Sequence, residues 1–323
     1  MPRLPRRGLL LAGLAWPSLA LAQSPDFPSR PLRLVVPFAP GGAADQVGRM
    51  LAEALGARLG QTMVVENRPG AGATLGADLV ARSPADGYTL LYGTPGPQII
   101  NPSLMPSLPY DPVAGFAPII ALLRAPNLLV VHPALPARSV AELIALAKAR
   151  PGELTFGSSG VGASSHLAGE MMKHMAGVDM THVPFRGSAP AIAELLAGRI
   201  SMLIDTLSLY GEHLMAGTLR ALAVSTPGRS FLMPELPTIA ETLLGFDASA
   251  FNYLAAPAGT PPAVLARLNR EANTVLADEG FRRRLTAIGL EAIGGSAEDC
   301  ARVIITERER WRGVIRAANV RLE

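Results

Sequence analysis

The sequence predicts an α/β protein of two lobes, each built on a mainly parallel sheet flanked by helices. Strand-like apolar runs alternate with helix-like runs along the chain, which is typical of βαβ units. Both halves follow the order strand, glycine- and serine-rich turn, helix, although no residue-level repeat is visible. Two apolar runs are broken at residues 124–127, which we interpret as a hinge. The 323 residues suffice for two domains, so we place lobe 1 at 23–124 plus 249–323 and lobe 2 at 125–248.

Residues 1–22 have the layout of a cleaved export signal. Three arginines precede an apolar stretch at residues 8–16, and the A-L-A of residues 20–22 is a small-residue cleavage site. The apolar stretch is too short to remain as a membrane-spanning helix. The paired Arg6 and Arg7 leave both the general secretory route and the twin-arginine route open. The sequence therefore predicts an exported, periplasmic protein.

The charge and cysteine content exclude several classes of partner. The net charge of +3 is accounted for by the three leader arginines, because the leader contains no acidic residue. The basic run at 282–284 lies on a helical pattern without interleaved aromatic residues, so a nucleic-acid partner is disfavoured. Cys300 is the single cysteine, and His166 and His174 lack further ligands at metal-binding spacing. We expect no disulfide, metal or cofactor.

The predicted elements of the first lobe follow the alternation of apolar patterns. Residues 32–38 and 88–92 form apolar strand-like runs, and a shorter run lies at 63–66. Helical spacing covers residues 47–59 and 71–82, with turn chemistry between them at 67–70. A long Pro-, Gly- and Ser-rich connection occupies 94–116, and the two crossing runs lie at 118–123 and 128–132.

The alternation restarts in the second lobe. Strands are expected at 154–157, 181–185, 201–205 and 219–225, and helices at 139–150 and 191–197. A further helix, with Leu167, Met171 and Met175 on one face, follows the turn at 158–166. Residues 251–256 are predicted to return to the first lobe as a strand, and the chain closes with helices at 263–277 and 297–317.

Three turns carry the chemistry. Each of the turns at 37–45, 158–166 and 186–190 follows a predicted strand, precedes a predicted helix and is rich in small residues. The first turn of a helix has unpaired N–H groups and the positive end of the helix dipole, which together attract anions. If the lobes face each other, these helix starts suit a ligand with carboxylates. The candidate contacts from the turns and strand ends are Phe38, Thr94, Ser158, Ser159, Ser164, Ser165, Arg186, Gly187 and Asp205.

Several of these residues have a structural alternative. Ser164 and Ser165 could cap their own helix instead of contacting a ligand. Arg186 could pair with a ligand carboxylate or with Asp205 across the turn. For Asp45 we favour a role in holding the loop by accepting backbone N–H bonds, over contact with a ligand amine or with water.

An enzyme is the competing hypothesis. Ser159, His166 and Asp205 are the residue types of a hydrolase triad. The G-S-S-G-V-G of residues 157–162 does not match the G-x-S-x-G nucleophile elbow, and His166 lies at a predicted helix start. Phosphate- and dinucleotide-binding glycine patterns are absent from the sequence. Binding is therefore favoured over catalysis.

The motifs resemble those of the Bug (TctC-like) extracytoplasmic solute receptors of tripartite tricarboxylate transport systems. The resemblance covers essentially all residues after the leader. It rests on PFAPGGAAD (37–45), ENRPGAGATLGA (66–77), ADGYTLLYGT (85–94), INPSL and LPYDP (100–112), FGSSGVGASSHLAGE (156–170), HVPFRGSAPAIAELLAGRI (182–200), LPTIAE (236–241) and APAGTP (256–261). FNYLAAP and GFAP depart from the usual pattern, but neither touches the proposed carboxylate sites.

The resemblance implies a two-lobed Venus-flytrap fold of the type II-like periplasmic-binding-protein class. It also implies a periplasmic location, a small mono- or dicarboxylate as solute, and a large and a small integral membrane subunit as partners. The family's ligand loops carry over onto Gly41, Gly42, Ala43, Ala44 and Asp45, and onto Ser158, Gly162, Ala163, Ser164 and His166. A sensor receptor for a similar acid, feeding a signalling partner, remains an alternative.

Overall fold

A computed structural model describes residues 27–321 of the chain. The predicted leader at residues 1–22 lies outside the described residues. Over the described part, no helix has the length and apolar character that crossing a bilayer requires.

The strands form two sheets. They are β1 Leu32–Val36, β2 Met63–Asn67, β3 Thr89–Gly93, β4 Phe116–Ala125, β5 Asn127–Val131, β6 Thr155–Ser158, β7 Thr181–Pro184, β8 Met202–Thr206, β9 Arg220–Val224, β10 Ala250–Pro257 and β11 Glu291–Ala292. The order is β11-β4-β10-β3-β1-β2 in the first sheet and β7-β6-β8-β5-β9 in the second.

Helices cover both faces of these sheets. They are α1 Ala43–Leu59, α2 Thr74–Ala81, α3 Asn101–Leu104, α4 Val140–Ala149, α5 Ser164–Ala176, α6 Ser188–Leu196, α7 Gly211–Met215, α8 Pro262–Ala277, α9 Glu279–Ala287 and α10 Ala297–Ala317. Most predicted elements lie within a few residues of these bounds.

Both sheets are mixed, which corrects the expectation of mainly parallel sheets. Strands β1, β2 and β3 are parallel to one another, as are β6, β7 and β8. Strands β4, β10 and β11 pair antiparallel with their neighbours, and β5 pairs antiparallel with β8 and β9. The difference has a topological cause, because β4, β5 and β10 carry the chain between the sheets.

The crossing between the sheets is short. Only Pro126 separates β4 from β5, and the predicted return of residues 251–256 to the first sheet is β10, which pairs with both β3 and β4. Asn127 fastens the crossing: its backbone N–H donates to Ser225 Oγ at 3.0 Å and its Nδ2 donates to the Ala248 carbonyl at 2.6 Å.

Three apolar clusters form the core. One cluster joins the two sheets, since it contains residues of β1 and β3, of β5 and β8, and of α5 and α10. The other two lie on the outer faces, under α1, α8 and α9 in the first lobe and under α6 in the second. Cys300 is buried in the shared cluster, where desolvation raises the pKa of its thiol to about 12. It behaves as a small apolar core residue.

The connection at 94–116 is more ordered than its composition suggests. It contains a five-residue π-helical segment, Gly96–Ile100, followed directly by α3. Tyr110 returns to this segment, and its hydroxyl donates to the Pro97 carbonyl at 3.0 Å. Hydrophobic periodicity cannot predict tertiary packing of this kind in a Pro- and Gly-rich stretch.

Candidate functional site

The carboxyl ends of the parallel strands in both sheets lie at the hinge. In the first sheet, Gly93 at the end of β3 pairs with Tyr253, close to the start of β10, where Ala250 lies opposite Ala125. In the second sheet, Thr206 at the end of β8 lies opposite Asn127, the first residue of β5. Because β1 is parallel to β3, and β6 and β7 are parallel to β8, the carboxyl ends of β1, β6 and β7 also lie on the hinge side of their sheets. The loops that follow them therefore converge on the region between the lobes.

The first loop, residues 37–42, leads from β1 into α1. Gly42 is the N-cap of α1 and no side chain caps this helix, so the N–H groups of Ala43, Ala44 and Asp45 have no side-chain acceptor. Gly41 has φ +86°, and a Cβ added there would meet nothing within 4 Å. Glycine is needed at this position for its backbone conformation, and the space in front of the loop is open.

Asp45 holds the first loop in place. Its Oδ2 accepts the Gly41 N–H at 2.9 Å and the Arg49 Nε–H at 3.0 Å, and its Oδ1 accepts from Asn67 Nδ2 at 2.9 Å. The hydrogen bond from Arg49, followed by that from Gly41, lowers the pKa of this carboxyl to about 2. These are the contacts of a loop-holding side chain, the role favoured from the sequence.

The second loop, residues 159–163, leads from β6 into α5. Ala163 is the N-cap of α5, and no side chain caps the helix. Ser165 Oγ instead accepts the Ser159 N–H at 3.0 Å and lies 3.0 Å from Ser159 Oγ. The capping alternative for Ser164 and Ser165 is therefore wrong, because both serines lie inside the helix. Ser164 is exposed at its start.

Some helices of the described chain have a side-chain cap and others do not. Ser139 caps α4, Asp278 caps α9, and Ser296 forms a full capping box on α10. By contrast, α1, α5 and α6 begin without a side-chain cap, as do α2, α3, α7 and α8. The first-turn N–H groups of α1, α5 and α6 thus remain available to an external acceptor.

The third loop, residues 185–187, is tied to the second. The Phe185 N–H donates to the Ser158 carbonyl at 3.0 Å, and the Gly187 N–H donates to the Ser159 carbonyl at 3.1 Å. Arg186 is exposed and has no hydrogen-bond or ion-pair partner among residues 27–321, so its suggested pairing with Asp205 is not present. This leaves the Arg186 guanidinium free to meet a ligand.

Asp205 is a buried carboxyl at the end of β8. It is 4% exposed, its Oδ1 accepts the Thr206 N–H at 2.8 Å, and its Oδ2 has no partner within the described residues. Burial raises the pKa of this carboxyl above its ordinary value. Its neighbour Leu203, two residues earlier on the strand, packs in the cluster under α6, so Asp205 lies on that face of the sheet.

Two further candidates sit on the first lobe's side of the hinge. The Thr94 Oγ1 atom is buried without a partner among the described residues, and the Thr94 carbonyl accepts from the Tyr253 hydroxyl at 3.4 Å. Phe38 is 39% exposed on the first loop. The structure also exposes Val161, 47% exposed, on the second loop. Sequence reasoning did not select Val161, because one apolar residue in a glycine-rich turn gives no signal.

The side chains of Ser158 and His166 are buried inside the lobe, where they hydrogen-bond to groups that support the second loop. Ser158 is fully buried and hydrogen-bonded to His182 Nε2 at 2.6 Å. His166 is 5% exposed, and its Nδ1 accepts the Gly162 N–H at 3.0 Å. Both side chains are occupied by hydrogen bonds inside the lobe, and their contact with a ligand stays a prediction.

The hydrolase triad is not assembled. Ser159 Oγ bonds to Ser165, and His166 Nδ1 bonds to the Gly162 backbone. Ile204 packs in the α5-side cluster and Leu203 in the α6-side cluster, so Asp205 lies on the opposite sheet face from His166. In addition, the described residues contain no cluster of three or more His, Cys, Asp or Glu side chains placed to hold a metal ion.

Comparison with known proteins now identifies the family. The model described as "tripartite tricarboxylate transporter family receptor" (TctC) matches residues 47–320. The chain belongs to this receptor family. Two curated relatives align with it almost end to end. BugT of Bordetella pertussis is 37% identical over 316 residues, covering 97% of this chain and 95% of that protein. A Pseudomonas sp. (strain P51) protein in the tcbD-tcbE intergenic region is 39% identical, covering 96% and 94%.

Solved structures show the same two-lobed fold. An R. palustris protein with adipate is 40% identical with a TM-score of 0.76, covering 92% of this chain and 100% of that chain. MatC from Rhodopseudomonas palustris with bound malate is 32% identical with a TM-score of 0.71, covering 90% and 100%. A ligand-free TctC solute-binding protein from Polaromonas is 28% identical with a TM-score of 0.83, covering 90% and 99%.

Several residues that shape the site of this TctC receptor were not among the sequence candidates. Asn67 bridges β2 to the first loop by donating from Nδ2 to the Phe38 carbonyl at 3.0 Å. His182 supports the second loop through Ser158. Asn67 lies in the motif ENRPG, which was interpreted only as a turn, so its hydrogen bond to the first loop was not predicted. His182 was not predicted because its partners lie on other elements and have no regular sequence spacing from it.

Proposed function

We propose that this protein captures a small carboxylated solute between its two lobes and delivers it to an integral membrane transporter of the tripartite tricarboxylate type. One observation carries the proposal. The uncapped starts of α1 and α5 open onto the hinge region from opposite lobes of a TctC-family receptor. Each start offers backbone N–H groups and a positive dipole end to an anion, worth about 0.3–1 kcal/mol each and more where the ligand is partly buried.

The relatives support the ligand class. The R. palustris structure contains adipate, and MatC contains malate, so both bind dicarboxylates. In the present chain, Phe38 and Val161 project apolar surface from the two ligand loops. We therefore expect an acid whose carbon skeleton contacts these side chains while its carboxylates meet the helix starts.

We further propose that binding closes the lobes about the hinge at Pro126. A hinge of one residue between two strands suits a closing motion of rigid lobes.

The remaining assignments rest on family membership and sequence. We propose that the lobes comprise residues 23–124 plus 249–323 and residues 125–248, with ligand contacts from the first, second and third loops. We also propose export to the periplasm by the leader and a handover to the membrane subunits. The proposed role involves no chemical step, and binding energy alone moves the lobes.

A thermal-shift screen of organic acids on the protein without its leader tests the proposal. A specific binder raises the melting temperature in a concentration-dependent way, because ligand binds only the folded state. The panel contains linear dicarboxylates, hydroxy acids and aromatic acids, each beside its uncharged amide. Stabilisation by an acid but not by its amide supports the proposal. Ester turnover that is abolished in Ser159→Ala would contradict it and favour the hydrolase.

A further inference from the structure

We propose that the stacked imidazoles of His166 and His182 are positioning residues that hold the second loop in its ligand-accepting geometry, and that protonation of His166 releases it. This inference rests on the proposed role of the α5 start in binding a carboxylate. It concerns two side chains that hydrogen-bond to the loop region from within the second lobe.

The two histidines form part of a continuous ring stack. The His166 and His182 ring centroids are 3.8 Å apart with an interplanar angle of 14°, and the Phe156 ring lies 4.9 Å from that of His182. The stack joins β6, β7 and α5, the three elements that surround the second loop. Stacking against neighbouring rings restricts the side-chain rotamers, so both imidazoles have defined orientations.

Each imidazole bonds to a different point of the loop region. His166 Nδ1 accepts the Gly162 N–H at 3.0 Å, and His182 Nε2 lies 2.6 Å from Ser158 Oγ. The Ser158 hydroxyl in turn bonds the Gly160 backbone, at 3.2 Å to its carbonyl and 3.3 Å from its N–H. Gly160 and Gly162 have φ of +146° and +77°, backbone conformations that glycine adopts without steric cost.

The Gly162 contact requires a neutral His166. A ring nitrogen that accepts an N–H bond must carry no proton, so protonation of Nδ1 turns an acceptor into a donor facing another donor. Burial, followed by the charge of Lys173, lowers the pKa of His166 to about 4. Burial, followed by the nearby His166, lowers the pKa of His182 to about 4 as well.

The charged groups that face the pair lie on α5. Glu170 Oε1 is 3.9 Å from His166 Nε2, and Lys173 Nζ is 3.4 Å from the same carboxylate oxygen. Burial raises the pKa of Glu170. Ala317 and Ala318, at the C-terminal end of α10, line one groove with Glu170 and Lys173, while β6 and β7 contribute Ser158 and His182. Glu170 is therefore the group whose titration must be separated from that of His166.

The direction of the pH effect follows from the lowered pKa. An unfolded or released loop takes up a proton near the ordinary value of 6.5, whereas the packed loop takes it up only at about 4. The loop geometry is therefore fully supported above pH 6.5 and loses support as the pH falls through about 4.

Amide exchange of Gly162 tests the inference without a ligand, at about pH 7 and about pH 4. In the native protein we expect the protection factor of the Gly162 amide to fall at least about tenfold at the lower pH. In His166→Leu we expect it to be low at both pH values. His166→Asn keeps an acceptor near the Nδ1 position and does not titrate, so its protection should be high at both. His174→Asn, an exposed site on the same helix, and Glu170→Gln should behave like the native protein.

Adipate binding, measured by calorimetry at the same two pH values, supplies the second readout. Protonation of adipate itself is common to all variants and cancels when they are compared at one pH. We expect about tenfold weaker binding in His166→Leu at pH 7 and a smaller pH effect in His166→Asn than in the native protein. Equal Gly162 protection in native protein and His166→Leu, or native protection that does not change with pH, overturns the inference. If adipate does not bind the native protein, the amide data alone decide the inference, and the ligand class is judged by the acid screen.

Discussion

At the residue scale, two buried side chains set the geometry of the first and second loops. Asp45 accepts three hydrogen bonds, from Gly41, Arg49 and Asn67, and so ties the first loop to α1 and β2. His166 serves the second loop through Gly162. In both cases the side chain belongs to a residue four positions after the glycine, in the first turn of a helix. It reaches back and accepts the glycine N–H. The helix starts thus hold the loops in front of them.

Asp45→Asn tests this role. The substitution removes the charge and leaves one acceptor oxygen for three donors, so we expect the free energy of unfolding at neutral pH to fall by about 1–2 kcal/mol. The carboxyl pKa is lowered from 3.8 to about 2, so its contribution is present above 3.8 and lost as the pH falls through about 2. The stability curve of the variant should be flatter over that range.

Glu53→Gln is the matched control for Asp45→Asn. Glu53 lies on the same helix, and its ion pair with Arg284 is exposed at both ends. We expect a change within about 0.5 kcal/mol by urea denaturation. A loss in the control as large as in Asp45→Asn, or no loss in either, would remove the special role of Asp45.

At the element scale, the start of α5 is left uncapped where a cap would be easy to provide. Ala163 has φ −67° and ψ 159°, the extended conformation that an N-cap side chain favours. The chain uses that solution at Ser139, Asp278 and Ser296. Leaving it out at α5 sacrifices stability at a place where an anion can supply the missing acceptor.

Ala163→Asp should therefore separate stability from binding. We expect the carboxylate to accept first-turn N–H bonds and to raise the free energy of unfolding by about 0.5–1 kcal/mol. The same carboxylate repels a bound acid, so affinity should fall at least about tenfold. Ser139→Ala, the converse change on α4, should lower stability by about 1 kcal/mol and leave affinity unchanged. Calorimetry and thermal unfolding of both variants measure the two effects, and unchanged affinity in Ala163→Asp would contradict the site.

How far the sequence could predict the molecule also depends on the element. Helices with clear amphipathic spacing, such as α10, and strands flanked by turn residues, such as β1, were predicted close to their bounds. Strand direction was predicted wrongly, because the apolar run of β10 has the same pattern whether it pairs parallel or antiparallel. In the site, the glycine-rich turns were recognisable. The inward direction of Ser158 and His166 was not, since it follows from their register against His182 and Gly162.

At the scale of the whole molecule, the lobes share one apolar cluster and a buried ion pair beside the hinge. Helix α10 packs against both β4 and α5, and so contacts both lobes. Arg310 on α10 lies 3.5 Å from Asp247 through Nη1 and Oδ2, and the two side chains are 23% and 9% exposed. Burial lowers the pKa of Arg310. The pair joins residue 247, which precedes β10, to α10.

Asp247→Asn should weaken this connection. Arg310 would keep only Glu307 as a carboxylate partner, so we expect a loss of up to about 3 kcal/mol in the free energy of unfolding. Glu309→Gln on the same helix removes an exposed pair with Arg312 and should change stability by less than about 1 kcal/mol. Denaturant titrations of the two variants measure this. Equal stability of both would show that the buried pair does not couple the lobes.

The most direct measurement of the central claim is hydrogen–deuterium exchange with and without an acid that stabilises the protein. The account predicts slower exchange at the backbone amides of residues 43–45 and 164–166 together, because one ligand occupies the starts of both α1 and α5. It predicts no such change with the uncharged amide of the same acid. Slowing confined to one lobe, or slowing at the outer surface around residues 52–63 with neither helix start affected, would contradict it.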